Sequence, residues 1–151
     1  MAKHLGHKSV LTKAQIARPR TILDTFPNPR PRRDYRIKFV FPEFTSICPV
    51  TGQPDFATIT LDYIPDRLCV EMKSLKLYYF SYRNKGIFYE AVVNDILDDL
   101  VAVLKPREMT VIGDFAVRGG TSGIITVSFN PNGLNATTEP QRRRGGRGEN
   151  F

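Results

Sequence analysis

The residues best suited to chemistry lie in one stretch, Phe44-Thr45-Ser46-Ile47-Cys48-Pro49-Val50-Thr51-Gly52-Gln53-Pro54-Asp55, which is dense in turn formers, hydroxyls and backbone donors. A thiolate is the strongest nucleophile a side chain offers, provided that its pKa is lowered and it can be reached. Free N–H and hydroxyl groups around Cys48 supply the first condition, and a loop position supplies the second. Asp55, brought back over the Pro and Gly turns, is placed to give or take a proton. The same types also describe a small buried cysteine and an aspartate that ends a turn. Cys69, inside the apolar run Leu68-Cys69-Val70, reads as core.

A second group is Glu71-Met72-Lys73-Ser74-Leu75-Lys76-Leu77-Tyr78-Tyr79, where a strand passes into a helix. A carboxylate there can accept a pair of N–H groups from a purine-like edge, while Lys73, Ser74 and the N–H groups opening the helix suit an anion. A capped helix with solvated lysines is the alternative. Tyr89-Glu90 opens a later helix, and Glu90 is a further candidate for recognising a base or, equally, an acid favourably placed at a helix N-terminus. Arg118-Gly119-Gly120 is a basic glycine turn able to meet phosphate. Other chemistries have little to build on. His4 and His7 are the only histidines and there is no CxxC, so neither a metal site nor a Ser/His/Asp triad is expected. The dinucleotide and P-loop glycine patterns are absent too.

The elements that must position these residues follow from periodicity. Tyr35–Phe41 alternates as a strand, residues 42–55 read as a structured loop full of breakers, and Phe56–Ile64 alternates again. Pro65-Asp66 marks a turn, with Leu68–Met72 as the returning strand. Ser74 is the expected N-cap of a helix whose face carries Leu75, Tyr78, Tyr79 and Tyr82, closed by Asn84-Lys85-Gly86. Phe88–Leu104 forms a longer helix with Val92, Val93, Ile96, Leu100, Val103 and Leu104 on one stripe, ended by Pro106. Glu108–Arg118 and Gly123–Phe129 are strands on either side of Gly119-Gly120. Strands, two helices, then strands make an α+β pattern: a largely antiparallel sheet with both helices on one face. Its open edges point to self-association.

The 151 residues suffice for one domain, residues 35–130, between a basic Pro-containing arm (1–34) and an Arg/Gly-rich tail (131–151) that reads as disordered. The net charge of +7 is unevenly spread. Residues 1–34 hold eight Lys/Arg against two acids and residues 139–151 four Arg against two Glu, whereas 35–138 hold ten against eleven. The folded part is close to neutral, so the charge argues for solubility or weak polyanion attraction rather than a required nucleic-acid partner. No apolar run approaches the ~18 residues of a membrane span, and the N-terminus lacks a signal-peptide layout. With only two cysteines, a reducing compartment, the cytoplasm, is expected.

Taken in register, these motifs resemble the NADPH-dependent 7-cyano-7-deazaguanine reductases. Glu43 to Pro49 followed by Thr51 to Phe56 resembles the family's active-site loop. Glu71 to Tyr79 is similar to its signature Glu-(Ser/Leu)-Lys-(Ser/Ala)-hydrophobic-Lys-aromatic. Arg83-Asn84, Gly86, Glu90 and Arg118-Gly119-Gly120 match in order and spacing, over a region from Phe26-Pro27-Asn28 to Ser122. The resemblance implies the tunnelling fold shared with GTP cyclohydrolase I, with subunits joined through sheet edges into rings and active sites between chains; short members form a homodecamer of two stacked pentamers. It implies that Cys48 attacks the nitrile carbon to give a thioimide and that Asp55 delivers protons. Two NADPH would reduce the nitrile to the aminomethyl product used in queuosine synthesis. It also implies that Val70, Glu71, Met72, Tyr89 and Glu90 hold the deazaguanine, and that Lys73, Ser74, Lys76 and Arg118 belong to the NADPH site. Tyr89 stands where the family usually has His, and Met72 where it has Ser or Leu. Two further functions remain open: an amidino-type transferase acting on the same nitrile in tRNA, and a non-catalytic, ring-forming base-binding protein.

Overall fold

The computed structural model describes residues 10–132. Alternating apolar and polar residues build four long or medium strands, β2 (Ile37–Ile47), β3 (Pro54–Ile64), β5 (Glu108–Arg118) and β6 (Thr121–Phe129). They form an antiparallel sheet in the order β2-β3-β5-β6. Paired residues share a face, so the register sorts the inner face into rows. Ile37-Tyr63-Met109-Phe129 is the first and Phe39-Leu61-Val111-Val127 the second. Phe41-Ile59-Gly113-Ile125 and Phe44-Ala57-Phe115-Gly123 follow. Beyond these four apolar rows comes a polar one, in which Ser46 pairs with Asp55 and Arg118 with Thr121.

Two helices cover this face. In α2 (Met72–Phe80) Leu75, Leu77, Tyr78 and Tyr79 are buried, and Tyr79 lies against Phe41 and Phe44 with ring centroids 5.0 and 6.2 Å away. In α3 (Tyr89–Leu104) the stripe Val92, Val93, Ile96, Leu97, Leu100 and Leu104 is buried, about 1.5–3 kcal/mol for each large aliphatic side chain removed from water. Gly113 sets how closely α3 can approach: a Cβ there would stand 2.6 Å from Val93 Cγ2 and 2.8 Å from the Phe115 ring. Asp99 of α3 accepts from Tyr78 Oη at 2.7 Å and from Arg20 Nε at 2.9 Å, tying both helices to the N-terminal segment. No helix among the described residues is long and apolar enough to cross a membrane.

Several elements depart from the sequence reading. Residues 42–55 are not one loop: β2 runs on to Ile47 through a bulge at Pro42-Glu43, leaving residues 48–53 as the connection. An edge strand tolerates Pro at a bulge because no ladder donor is needed there. The strand after Pro65-Asp66 is short, β4 (Leu68–Val70), and pairs with β1 (Thr25–Pro27) instead of returning along β3. Residues 13–28 are therefore more than an extended arm. They form a short helix α1 (Lys13–Ala17), a 3-10 turn (Pro19–Ile22) and β1, with Ile22, Leu23, Asp24 and Asn28 buried. The C-terminal tail lies outside the described residues beyond Asn132.

Candidate active site

Cys48 follows directly on β2. Its N–H donates to the Gln53 carbonyl at 2.9 Å, and its carbonyl accepts from Gly52 N–H at 2.9 Å, closing a tight turn over the sulfur. Gly52 takes φ +71°, which an L side chain adopts only at a cost. The turn is braced from below by Ile47, which exchanges backbone hydrogen bonds with Lys85 and Ile87 at 3.0 Å each. This use of the Asn84-Lys85-Gly86 segment goes beyond ending a helix.

Cys48 is buried, 5% exposed, beneath the turn closed by residues 48–53, and it stands outside the main apolar cluster of the core. Desolvation is accordingly the weakest influence on it. The Thr51 hydroxyl is the strongest, followed by the Thr51 N–H, the Arg118 guanidinium and the Val50 N–H, and together they hold the thiol down to about 6 from 9.0. Thr51 is oriented for this because its oxygen accepts from Gln53 N–H at 3.3 Å, leaving its proton for the sulfur.

Asp55 is buried at the start of β3, and its Oδ1 receives Arg118 Nη1 at 2.7 Å and Tyr89 Oη at 3.1 Å. That Arg118 faces inward is the work of a second bulge. Phe115 pairs with Gly123 and Arg118 with Thr121, so β5 spends one residue more than β6 over this interval. Strict alternation would have put Val117 on the inner face and Arg118 outside. Two successive glycines at positive φ, Gly119 (+60°) and Gly120 (+78°), then reverse the chain as a type I′ hairpin turn requires. Tyr89, the first residue of α3, stacks on Phe115 with centroids 3.8 Å apart and planes at 13°. Burial first, and then its bond to Asp55, push its phenol above the usual value, so it keeps its proton at neutral pH and donates the hydrogen bond to Asp55. Glu90 follows it, exposed, in the first turn. A hollow of about 360 Å³, lined in part by Asp55, Phe56, Val117 and Arg118, opens beside the cluster.

The other group of expected site residues stands elsewhere. Val70 N–H donates to Tyr63 Oη at 3.0 Å, which places the Val70-Glu71-Met72 segment by the first row of the sheet. Asp55 lies eight residues back along β3, about 25 Å at the rise of an extended strand. The N-cap of α2 is Glu71, not Ser74: its carboxylate accepts from Lys73 N–H at 2.8 Å and Ser74 N–H at 2.7 Å. Those N–H groups are thus already answered, though each oxygen keeps a lone pair for a further donor. The Ser74 hydroxyl is buried, accepting from Asp24 N–H at 2.9 Å and donating to the Glu71 carbonyl at 2.8 Å. Among the four residues expected to meet a cofactor phosphate, Lys73 and Lys76 present two cations one helical turn apart, and this donor set fits an anion. Ser74 fastens the N-terminal segment, and Arg118 sits in the other cluster.

The residue readings therefore divide into two groups. Cys48, Asp55, Tyr89, Arg118 and, next to Tyr89, Glu90 come together, while Val70, Glu71, Met72, Lys73, Ser74 and Lys76 form a separate group. Thr51 and Phe115 were not anticipated as site residues. A hydroxyl three positions after a cysteine in a Pro/Gly turn was the available signal for Thr51. Nothing local marks Phe115, whose part depends on α3 crossing above it.

The family model described as "QueF-like protein" matches residues 54–132, which include Asp55, Tyr89 and Arg118. A protein of Chloroherpeton thalassium named NADPH-dependent 7-cyano-7-deazaguanine reductase is 59% identical over 108 residues, covering 72% of this chain and 93% of the relative. One of the same name from Nitrosococcus oceani is 54% identical over 120 residues, covering 80% and 93%. The crystal structure of the archaeosine synthase QueF-Like in the apo form aligns with a TM-score of 0.55 at 22% identity, over 62% of this chain and 90% of that one, a likeness of fold.

Proposed function

The chain belongs to the QueF-like family, and from that premise we propose that it is an NADPH-dependent 7-cyano-7-deazaguanine reductase acting through a covalent Cys48 adduct. The observation that carries the mechanism is the low-pKa Cys48 thiol gathered with Asp55, Tyr89 and Arg118 at the polar end of the sheet. A nitrile is linear and electrophilic at carbon. The Cys48 thiolate adds there, a C–S bond forms, one C–N π bond breaks, and its electron pair goes to nitrogen, which takes a proton. Asp55, which accepts a hydrogen bond from Tyr89 Oη and is held by Arg118, is the group placed to pass that proton and the later ones in from solvent. Going from nitrile to aminomethyl takes four electrons and four protons, so two NADPH are consumed. When bound, NADPH supplies hydride to the captured carbon. Lys73 and Lys76 would hold its phosphates, and the buried setting of Cys48 and Asp55 would keep water from the thioimide.

The two groups of residues lie too far apart in one chain to meet a single bicyclic base. We infer that a neighbouring copy brings its Glu71–Lys76 segment to this copy's Cys48, which is what a ring joined through the exposed edges of β2 and β6 would do. A homodecamer of two pentamers is the assembly proposed, acting on the free base without nucleic acid, in the reducing cytoplasm where Cys48 stays a thiol. Intact-mass measurement after adding 7-cyano-7-deazaguanine without reductant tests the reading. A covalent adduct is expected in the natural protein and none in Cys48→Ala, and adding NADPH should convert it to the amine. Absence of any adduct, with no nitrile-dependent NADPH oxidation, would refute it.

A further inference from the structure

Among the described residues two buried side-chain oxygens have no hydrogen-bond partner, Tyr79 Oη and Ser46 Oγ. Tyr79 lies against the Phe41 and Phe44 rings, where the sheet is apolar. Ser46 stands instead in the polar row, directly across the ladder from Asp55, a placement that sets the two Cβ atoms about 4.5–5.5 Å apart. Phe44, Ser46 and Cys48 are buried while Thr45 and Ile47 between them are partly exposed, so hydroxyl and thiol share one face of β2. Two residues separate them, about 7 Å along an extended strand. Ser46 is 0% exposed, and a hydroxyl so buried and unanswered is unfavourable in the free protein, so it calls for a reason beyond folding.

A nitrile enters end-on, so its nitrogen leads and comes to rest deeper than the carbon that Cys48 attacks. Inward from Cys48 on the same face, the next side chain is Ser46. When the thiolate adds, the electron pair of the broken C–N π bond gathers on that nitrogen. We propose that the Ser46 hydroxyl donates a hydrogen bond to the nitrile nitrogen as Cys48 adds, which makes Ser46 a catalytic residue of the capture step. The bonded carbon, its nitrogen and one hydrogen bond of about 2.9 Å bridge the gap from sulfur to hydroxyl. Ser46 keeps its own proton. The proton that the nitrogen takes comes from Asp55 across the rung, where Arg118 and Tyr89 both bond Oδ1 and leave Oδ2 for the transfer. A donor held in place with no other partner to give up meets the developing charge without reorganisation. The inference rests on the Cys48 addition proposed above and names the group that receives the nitrogen.

Two rates test this role. One is adduct formation with 7-cyano-7-deazaguanine without NADPH, followed by intact mass after rapid quenching. The other is Cys48 alkylation by iodoacetamide, which builds no charge on a nitrogen. In Ser46→Ala adduct formation should slow about a hundredfold, the scale of one lost donor to a developing charge, while alkylation is unchanged. The melting temperature should not fall, because the hydroxyl has no partner to lose. Ser46→Thr, which keeps the hydroxyl, should recover most of the capture rate. Adduct formation as fast in Ser46→Ala as in the natural protein would overturn the proposal and leave the reductase reading standing. Equal slowing of both rates, the mark of a packing role, would overturn it too. It also fails if the folded Ser46→Thr protein, checked by circular dichroism, captures the nitrile no faster than Ser46→Ala. No adduct in the natural protein, with Cys48 still alkylated, would instead sink the reductase reading and this inference with it.

Discussion

Thr51 contributes the largest single influence on the Cys48 thiol, through a hydroxyl whose orientation is fixed by Gln53 N–H. Thr51→Val keeps the shape and removes the donor, so the thiol should rise from about 6 towards 9.0 and the rate of nitrile capture should be lost between those values. The sign for stability is the same. A group whose folded pKa is depressed contributes stability above its unfolded pKa and loses it as pH falls through the folded one. The melting temperatures of the natural and Thr51→Val proteins should therefore differ most in alkali and converge below about pH 6, which calorimetry across pH can check. At this scale the chain was partly readable. Cys48 and Asp55 declare themselves by residue type in a turn-rich stretch, because a reactive thiol needs donors and access together. Glu71 was read as a ligand for a base, and the structure finds it capping its own helix. A carboxylate three residues before Ser74 suits both roles, and capping leaves each of its oxygens a lone pair for a further donor.

Gly113 is where two elements negotiate their distance. With a Cβ 2.6 Å from Val93 Cγ2 and 2.8 Å from the Phe115 ring, Gly113→Ala must lift α3 or turn Phe115. The cost should be about 1–3 kcal/mol in urea unfolding, as for overpacked cores. Because Tyr89 stacks on Phe115 and reaches Asp55, turnover should fall beyond what the lost stability explains. The long elements were legible: the apolar stripe of α3 and the Gly-Gly reversal between β5 and β6 obey simple periods. Where the chain breaks period, the reading failed. Pro42 looked like the start of a loop because a proline ends most strands, yet on the edge strand it occupies a bulge and β2 continues. The β1–β4 pairing joins segments some forty residues apart in sequence, and three-residue strands are too short to show alternation.

For the whole molecule, the eight-residue span between Asp55 and Tyr63 separates the nucleophile from the lysines of α2. If neighbouring copies supply the missing half, two inactive variants should rescue each other. Cys48→Ala keeps the lysines, and the Lys73→Ala/Lys76→Ala double variant keeps the thiol. Refolded together, they should regain NADPH oxidation that neither shows alone. No recovery, from mixed oligomers shown to contain both chains, would return the complete site to one chain. The charge pattern is a whole-molecule property that the sequence displayed directly, since the basic excess sits towards the two ends while the residues of the sheet and long helices nearly balance. The division of the site was not displayed, because distance along a strand becomes distance in space only once the register is known.

The spare residue of β5 governs reach more than side. With one residue removed between Phe115 and Arg118, plain alternation would still turn the arginine inward, so a one-codon deletion there is expected to relax the local twist and draw the guanidinium back along the strand while leaving it on the same face.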